Sequence, residues 1–186
     1  MTTSHLEFCK LKEGSSHLPL ITQLYIDAFP ACERRDVDEW LSYSQPNTGR
    51  PFTIYVVEYK GEFAGFITCW DFTTFVYVEH FAVSTNIRGL GIGQQTLALL
   101  KQEVNNRPLV LEVEVPEGEM PIRRIRFYER QAFFLSPLPY MQPPYRAGED
   151  WFELRLMTTH PEFLTENFEE VKRTIYQHVY QVKDED

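Results

Sequence analysis

Basic side chains are scarce in this chain. Lysine and arginine number 18 against 27 aspartates and glutamates, a formal net charge of −9. Nucleic-acid binders neutralise phosphates with basic surfaces, so general nucleic-acid binding is disfavoured. Long apolar runs are missing as well. No stretch approaches the roughly 18 consecutive apolar residues that cross a bilayer, and residues 1–10 lack a basic-then-apolar secretory pattern. No membrane partner is expected. The three cysteines, Cys9, Cys32 and Cys69, are scattered, with no CxxC and no Cys/His cluster. That argues against a metal site and fits reduced thiols in a cytoplasm. Repeats and low-complexity linkers are lacking too. The acidity either keeps the protein soluble or draws a cationic or amine-bearing partner.

What is present is a patterned chain of 186 residues, enough for a full core. Residues 6–12 read as a short strand. Leu20, Ile21, Leu24, Tyr25 and Phe29 recur at helical spacing until Pro30 breaks the run. A second short helix is predicted over 36–44 and a turn over 45–51. Strand patterns cover 52–59 and 62–71, joined by the hairpin signal Lys60-Gly61, and then 74–83. The period then switches: helix over 91–104, strand over 109–115, helix over 121–131, strands over 133–135 and 151–158. A proline-rich loop spans 137–148. A last helix over 161–182 carries Leu164, Phe168, Val171, Ile175, Val179 and Val182 on one face. An antiparallel meander followed by a βαβ crossover implies a mixed sheet.

Between the strand ending at Val83 and the next helix lies Arg88-Gly89-Leu90-Gly91-Ile92-Gly93. The first amides of a helix lack internal partners and sit at the positive end of its dipole, so such a turn binds phosphate. A Walker loop needs Gly-Lys-Ser/Thr, and Gln94-Gln95 follows Gly93 instead. A dinucleotide fingerprint places its third glycine at position 94 and begins straight after a strand. Neither holds, although Glu112 lies about 20 residues on, where that motif has an acid.

Arg88-x-x-Gly91-x-Gly93 resembles the pyrophosphate loop of the GCN5-related N-acetyltransferases (GNAT), Arg/Gln-x-x-Gly-x-Gly/Ala. Residues 77–83 resemble that family's fourth strand, and Tyr128 to Phe133 its Tyr-x-x-x-Gly-Phe segment, with Ala132 in the glycine's place. The Asn that often begins the preceding helix has no counterpart near Pro121. The resemblance covers about residues 6–158. It implies an α/β (α+β) fold: a mixed, mostly antiparallel sheet of six to seven strands flanked by helices. Residues 1–160 would form the transferase domain, and residues 161–186 a helical extension packed on the domain or on a dimer partner, in a monomer or a homodimer.

The resemblance further implies acetyl-CoA as co-substrate and a small-molecule or peptide amine as acceptor. Arg88, Gly89, Leu90, Gly91, Ile92 and Gly93 would hold the pyrophosphate. Phe81, Ala82 and Val83 would offer backbone groups to the pantetheine arm and the oxyanion. Tyr128 matches the family tyrosine that protonates the CoA sulfur, though an aromatic core role is open. Glu79, a carboxylate amid apolar strand residues, is a candidate base or an ion-paired residue. Alternation points His80 to the opposite face. Glu112 and Glu114 share a face with Val110 on a strand expected to be buried on both sides, so they line an acceptor cleft or face solvent. Phe29, Glu33, Arg34 and Arg35 follow the first helix, where family members shape the acceptor pocket. Tyr140, Tyr145 and Trp151 would close its other side. The competing reading is a non-catalytic acyl-CoA-binding module.

Overall fold

The computed structural model describes residues 5–45, 48–87 and 89–182. The elements run β1 (Leu6–Lys10), α1 (Leu18–Ala28), α2 (Val37–Tyr43), β2 (Phe52–Tyr59), β3 (Glu62–Asp71), β4 (Val76–Val83), α3 (Ile92–Glu103), β5 (Leu109–Glu114), α4 (Glu119–Glu129), β6 (Phe134–Leu135), β7 (Tyr140–Gln142), β8 (Phe152–Thr158) and α5 (Pro161–His178). One sheet takes the order β1-β2-β3-β4-β5-β8-β6, with β7 also paired to β8. Only β4 and β5 run parallel, because α3 carries the chain back between them. The mixed, mostly antiparallel fold is as the sequence implies. It has one more strand than expected: β7, inside the proline-rich loop, pairs Tyr140–Gln142 with Leu154–Phe152.

Lys60 and Gly61 both take positive φ (55° and 79°), the twist a two-residue hairpin requires. Strand alternation then sorts the core. Phe66, Trp70, Tyr77, Val110 and Leu156 pack with Ile21 and Tyr25 of α1, Trp40 of α2 and Phe168, Val171 and Ile175 of α5. Ile67, Val76, Val78, Leu109 and Leu111 pack on the opposite face with Leu97 and Leu100 of α3 and Ile125 of α4. The sheet is thus covered on both faces. Among the described residues, no helix is long and apolar enough to cross a membrane.

Two chain ends depart from simple helical continuation. After α4, Ala132 adopts φ 56° where the resembling pattern has glycine, at a cost of about 1 kcal/mol for a left-handed non-glycine residue. Helix α5 stops at His178 rather than at 182. Its last main-chain bonds widen, with Tyr180 N donating to Ile175 O (3.3 Å) and Val182 N to Tyr176 O (2.9 Å), and Gln181 turns at φ 57°. Tyr180 is thereby swung toward the sheet.

Candidate active site

The site begins where the sheet fails to close. β4 and β5 pair only through Val76–Val78 and Leu109–Leu111, and the strands part beyond. On its other edge, β4 carries a bulge: Thr68 pairs with His80 and Cys69 with Val78, leaving Glu79 as the extra residue. A bulge interrupts period-two alternation. His80 therefore does not point away from Glu79. It packs on Tyr25 and Phe29 (ring centroids 5.0 and 4.6 Å apart), the same side on which Glu79 meets Trp70.

Glu79 is fully enclosed. Its Oε1 accepts from Arg35 Nη2 (2.8 Å) and the Tyr145 hydroxyl (3.2 Å), and its Oε2 from Trp70 Nε1 (2.9 Å). Burial pulls the Arg35 guanidinium toward neutrality, but the Glu79 carboxylate more than offsets it, so Arg35 stays charged. The same Nη2 donates to the Val179 carbonyl (2.6 Å). His80 Nε2 donates to the Glu33 carbonyl (3.0 Å), and burial lowers the ring's proton affinity, so the imidazole is neutral. It is a packed side chain.

Glu112 stands on β5 in a cage of phenols. Tyr140 donates to Oε1, and Tyr180 donates to Oε2 at 2.7 Å. The residue keeps some exposure on the cleft wall, yet protein surrounds its carboxylate. Burial pushes its pKa up to about 7. The hydrogen bonds from Tyr140 and Tyr180, with the nearby Tyr77 phenol, pull the other way, and the charge of Glu79 adds to the rise.

Two openings meet at these carboxylates. The first, of about 420 Å³, is lined by Phe29, Glu33, Glu79, Glu112, Glu114 and Tyr145, among others. The structure thus brings Phe29, Glu33, Glu112, Glu114 and Tyr145 to one opening, whereas Arg34, Arg35, Tyr140 and Trp151, which the sequence also set on the acceptor side, do not line it. Glu114 is exposed and ion-paired with Arg124 Nη1 (2.7 Å). Glu33 has its pKa raised by burial and by the Glu114 charge, with Arg124 opposing. The second opening, of about 380 Å³, runs along Val78, Phe81, Ala82 and Val83 of β4 and is closed by Leu111 and Tyr128. Glu79, Glu112, Phe29 and Arg124 line both.

The glycine turn leads into α3. Gly89 and Gly91 take φ 86° and 72°, and Gly91 caps α3 without any side-chain bond to its first amides. Gly91 contributes no side chain to those amides, so a helix start of this kind can receive an anion. Leu90 is exposed and Ile92 buried. At Gly93 a Cβ would lie 3.2 Å from Phe127 Cζ, so the absence of a side chain lets the helix start pack closely. Arg88 lies outside the described residues. Along β4, Ser84 N bonds Ala64 O (2.9 Å). By alternation the Ala82 amide also faces β3, and the main-chain groups of Phe81 and Val83 face the opening. The oxyanion expectation at Ala82 therefore shifts to its two neighbours. Tyr128 contacts Phe127 and Phe133 edge-on, and burial pushes its phenol up to about 12, so it is a neutral donor.

The arrangement sets a glycine turn suited to an anion, and strand groups facing the opening, at one end of a split in the sheet, and an acidic cleft at the other. A carboxylate of near-neutral pKa lies between them. Trp70, Gln142 and Tyr180 belong to this site and were not foreseen. No pattern marks them: the apolar stripe runs on through Val182, while the structure turns out of helix after His178. Among the described residues no cluster of three metal-ligating side chains forms.

The profile of the acetyltransferase (GNAT) family matches residues 18–133. YjbC of Bacillus subtilis (strain 168) is 32% identical over 119 residues, which cover 62% of this chain and 60% of that protein. A solved GNAT-family protein of Bacteroides thetaiotaomicron is 35% identical and superposes with a TM-score of 0.88, covering 95% of this chain and 99% of the other. Both are named as acetyltransferases provisionally. A GNAT-family acetyltransferase from Elizabethkingia anophelis, solved with acetyl-CoA bound, shares the fold at 15% identity and a TM-score of 0.56, over 85% of this chain and 99% of that one.

Proposed function

The chain belongs to the acetyltransferase (GNAT) family, and from that premise we propose that it is an N-acetyltransferase moving an acetyl group from acetyl-CoA directly to a primary amine. Acetyl-CoA, which the Elizabethkingia anophelis neighbour was solved with, supplies the activated thioester. The free amides from Gly89 to Gly93 hold the diphosphate, and Phe81 and Val83 offer main-chain groups to the pantetheine arm and to the negative charge that develops on the acetyl oxygen.

Glu112 takes a proton from the acceptor ammonium. The freed nitrogen lone pair bonds to the acetyl carbon as the carbon–sulfur bond breaks. Tyr128 donates its phenolic proton to the departing sulfur, and the second amine proton returns to Tyr128 through solvent. Glu112 suits the base role better than Glu79 does. Protonating Glu79 would leave the buried Arg35 charge uncompensated. Among the described residues Glu112 has no cationic partner, and it titrates near the working pH.

The acceptor is cationic. Glu33, Glu112, Glu114, Glu117 and Glu153 line its cleft, and Arg124 there is already paired with Glu114. Among the described residues that line it, a carboxylate or phosphate on the acceptor would meet no unpaired cation. Free Cys9, Cys32 and Cys69 fit a reducing, cytoplasmic setting. The observation that carries the reading is the split between β4 and β5, with an uncapped glycine turn on one side and caged Glu112 on the other.

Thiol release from acetyl-CoA against polyamines, aminoglycosides, amino acids and peptides tests it. Release is expected with multiply cationic amines. Saturable acetyl-CoA binding without release for any amine would make the protein a binding module.

A further inference from the structure

We propose that Tyr180, on the segment following α5, is a positioning residue of the transfer: its phenol, oriented by Gln142, holds the Glu112 carboxylate in place on the cleft wall. The proposal rests on the reading of Glu112 as proton acceptor.

The polarity of the chain of hydrogen bonds is fixed by chemistry. Gln142 Nε2 carries only hydrogens, so at 2.7 Å it donates to the Tyr180 oxygen. The phenol hydrogen is left for Glu112 Oε2, also at 2.7 Å. With Tyr140 donating to Oε1, both carboxylate oxygens are gripped and the side chain has one orientation. The Tyr77 hydroxyl lies 3.3 Å from that of Tyr180.

The segment that delivers Tyr180 is itself fastened. Val179 and Tyr180 are buried, at 0% and 8% exposure. Arg35 Nη2 donates to the Val179 carbonyl, and Gln181 Nε2 donates to the Tyr43 hydroxyl at 2.7 Å. Arg35 therefore ties the same segment to Glu79. Tyr180 also lies beyond residues 18–133, the span the family profile matches. A part of the site is thus supplied by a region the shared core does not encode.

The groups facing Glu112 are Tyr77 and Glu79 of β4, Tyr140 of β7, Tyr145 of the β7–β8 loop, and Tyr176 and Tyr180 at the C-terminal end. Arg124 lines the same cleft but is held by Glu114. Of the phenols, Tyr140 and Tyr180 are the two that end a hydrogen bond on the carboxylate at contact distance. Each hydrogen bond favours the charged carboxylate, so losing one raises its proton affinity.

The titration needs no acceptor. Glutamates are labelled with carbon-13 at the carboxyl, Glu112 is assigned by Glu112→Gln, and its shift is titrated in the full-length protein. In Tyr180→Phe the Glu112 midpoint is expected to rise by about one pH unit, the scale of one hydrogen bond to a charged group. Acetyl-CoA binding by calorimetry stays unchanged. A role in packing alone would lower the melting temperature and leave the midpoint in place, and that result overturns the proposal. Should Tyr180→Phe not fold, 3-fluorotyrosine at position 180, a stronger donor of near-equal shape, is expected to lower the midpoint; no movement there overturns it equally. Thiol release by Glu112→Gln, measured alongside, separates the two readings. Full activity in that variant removes Glu112 as base, and an unmoved midpoint removes only Tyr180.

Discussion

Glu79 and Glu112 each stand one residue beyond Val78 and Leu111, the last pair that joins β4 to β5. Two carboxylates at one fork in a sheet would repel, and the fold treats them differently. Glu79 receives a buried guanidinium, an indole and a phenol. Glu112 receives phenols and no cation, and its pKa lies at about 7, chiefly through burial. Glu79 is thus held in a buried ion pair, and the contrast supports the proposal of Glu112 as the proton carrier.

The rate should follow Glu112. With an accepted amine, kcat/KM of the unmodified protein is expected to fall about tenfold per pH unit below about 7. Glu112→Gln should lose about 10²- to 10⁴-fold in kcat and lose that acid limb. Thiol release measured from pH 5.5 to 9 checks both, and an acid limb that survives the substitution would remove Glu112 from the chemistry.

Stability should move in the opposite direction to activity. The folded protein holds the Glu112 proton more tightly than the unfolded chain does. The resulting stabilisation is complete below the ordinary carboxylate pKa and is lost as pH rises through about 7. Glu112→Gln, neutral at every pH, should therefore gain melting temperature over the unmodified protein at pH 8, with a smaller gain at pH 5. Scanning calorimetry at the two pH values reads the difference; an equal gain at both would contradict the sign.

The Arg35–Glu79 pair should behave as a coupled unit. Arg35→Leu leaves a buried carboxylate without its counter-charge and is expected to cost about 3–5 kcal/mol. Glu79→Leu does the converse. The double substitution should cost much less than the sum, because it removes both charges together. Urea unfolding of the four proteins yields the coupling, and strict additivity would mean that the pair contributes no mutual compensation.

Much of this site was legible in the sequence, and what was not has a physical reason. The Gly89–Gly93 turn declared itself because a strand period ends and a helical one begins around it. Glu112 was visible because two acids interrupt the polar-free pattern expected of a parallel strand. The bulge at Glu79 left no such mark, since one extra residue shifts every later side chain without changing composition. His80 was therefore assigned to the wrong face. β7 is three residues long and flanked by prolines, too short for a period. Tyr180 is 68 positions from Glu112 and Arg35 is 44 from Glu79, so their meetings depend on tertiary packing.

Binding of the coenzyme should depend on the turn and little on the carboxylates. Gly91 holds φ 72° at the start of α3, where a β-branched side chain is strained and would crowd the free amides. Gly91→Val is expected to weaken coenzyme A binding at least about tenfold, the loss of one charge-assisted contact's worth of free energy. Glu112→Gln should leave that affinity alone. Calorimetry with coenzyme A on both variants decides it: equal affinities would place the diphosphate elsewhere.

Tyr128 should matter at the end of the reaction rather than the beginning. Its phenol, held up at about 12, is protonated throughout the working range and lines the opening that runs along β4. Tyr128→Phe keeps the ring that packs on Phe127 and Phe133 and removes only the donor. A thiol with a pKa of about 8.5 is a fair leaving group on its own, so the loss in kcat should sit near the low end for a general acid, about 10²-fold. Coenzyme A affinity should hold. The deficit should shrink above about pH 8.5, where the thiolate is stable without a proton. A deficit that is constant across pH, or no deficit, would leave Tyr128 as a core aromatic and return the protonation of sulfur to solvent.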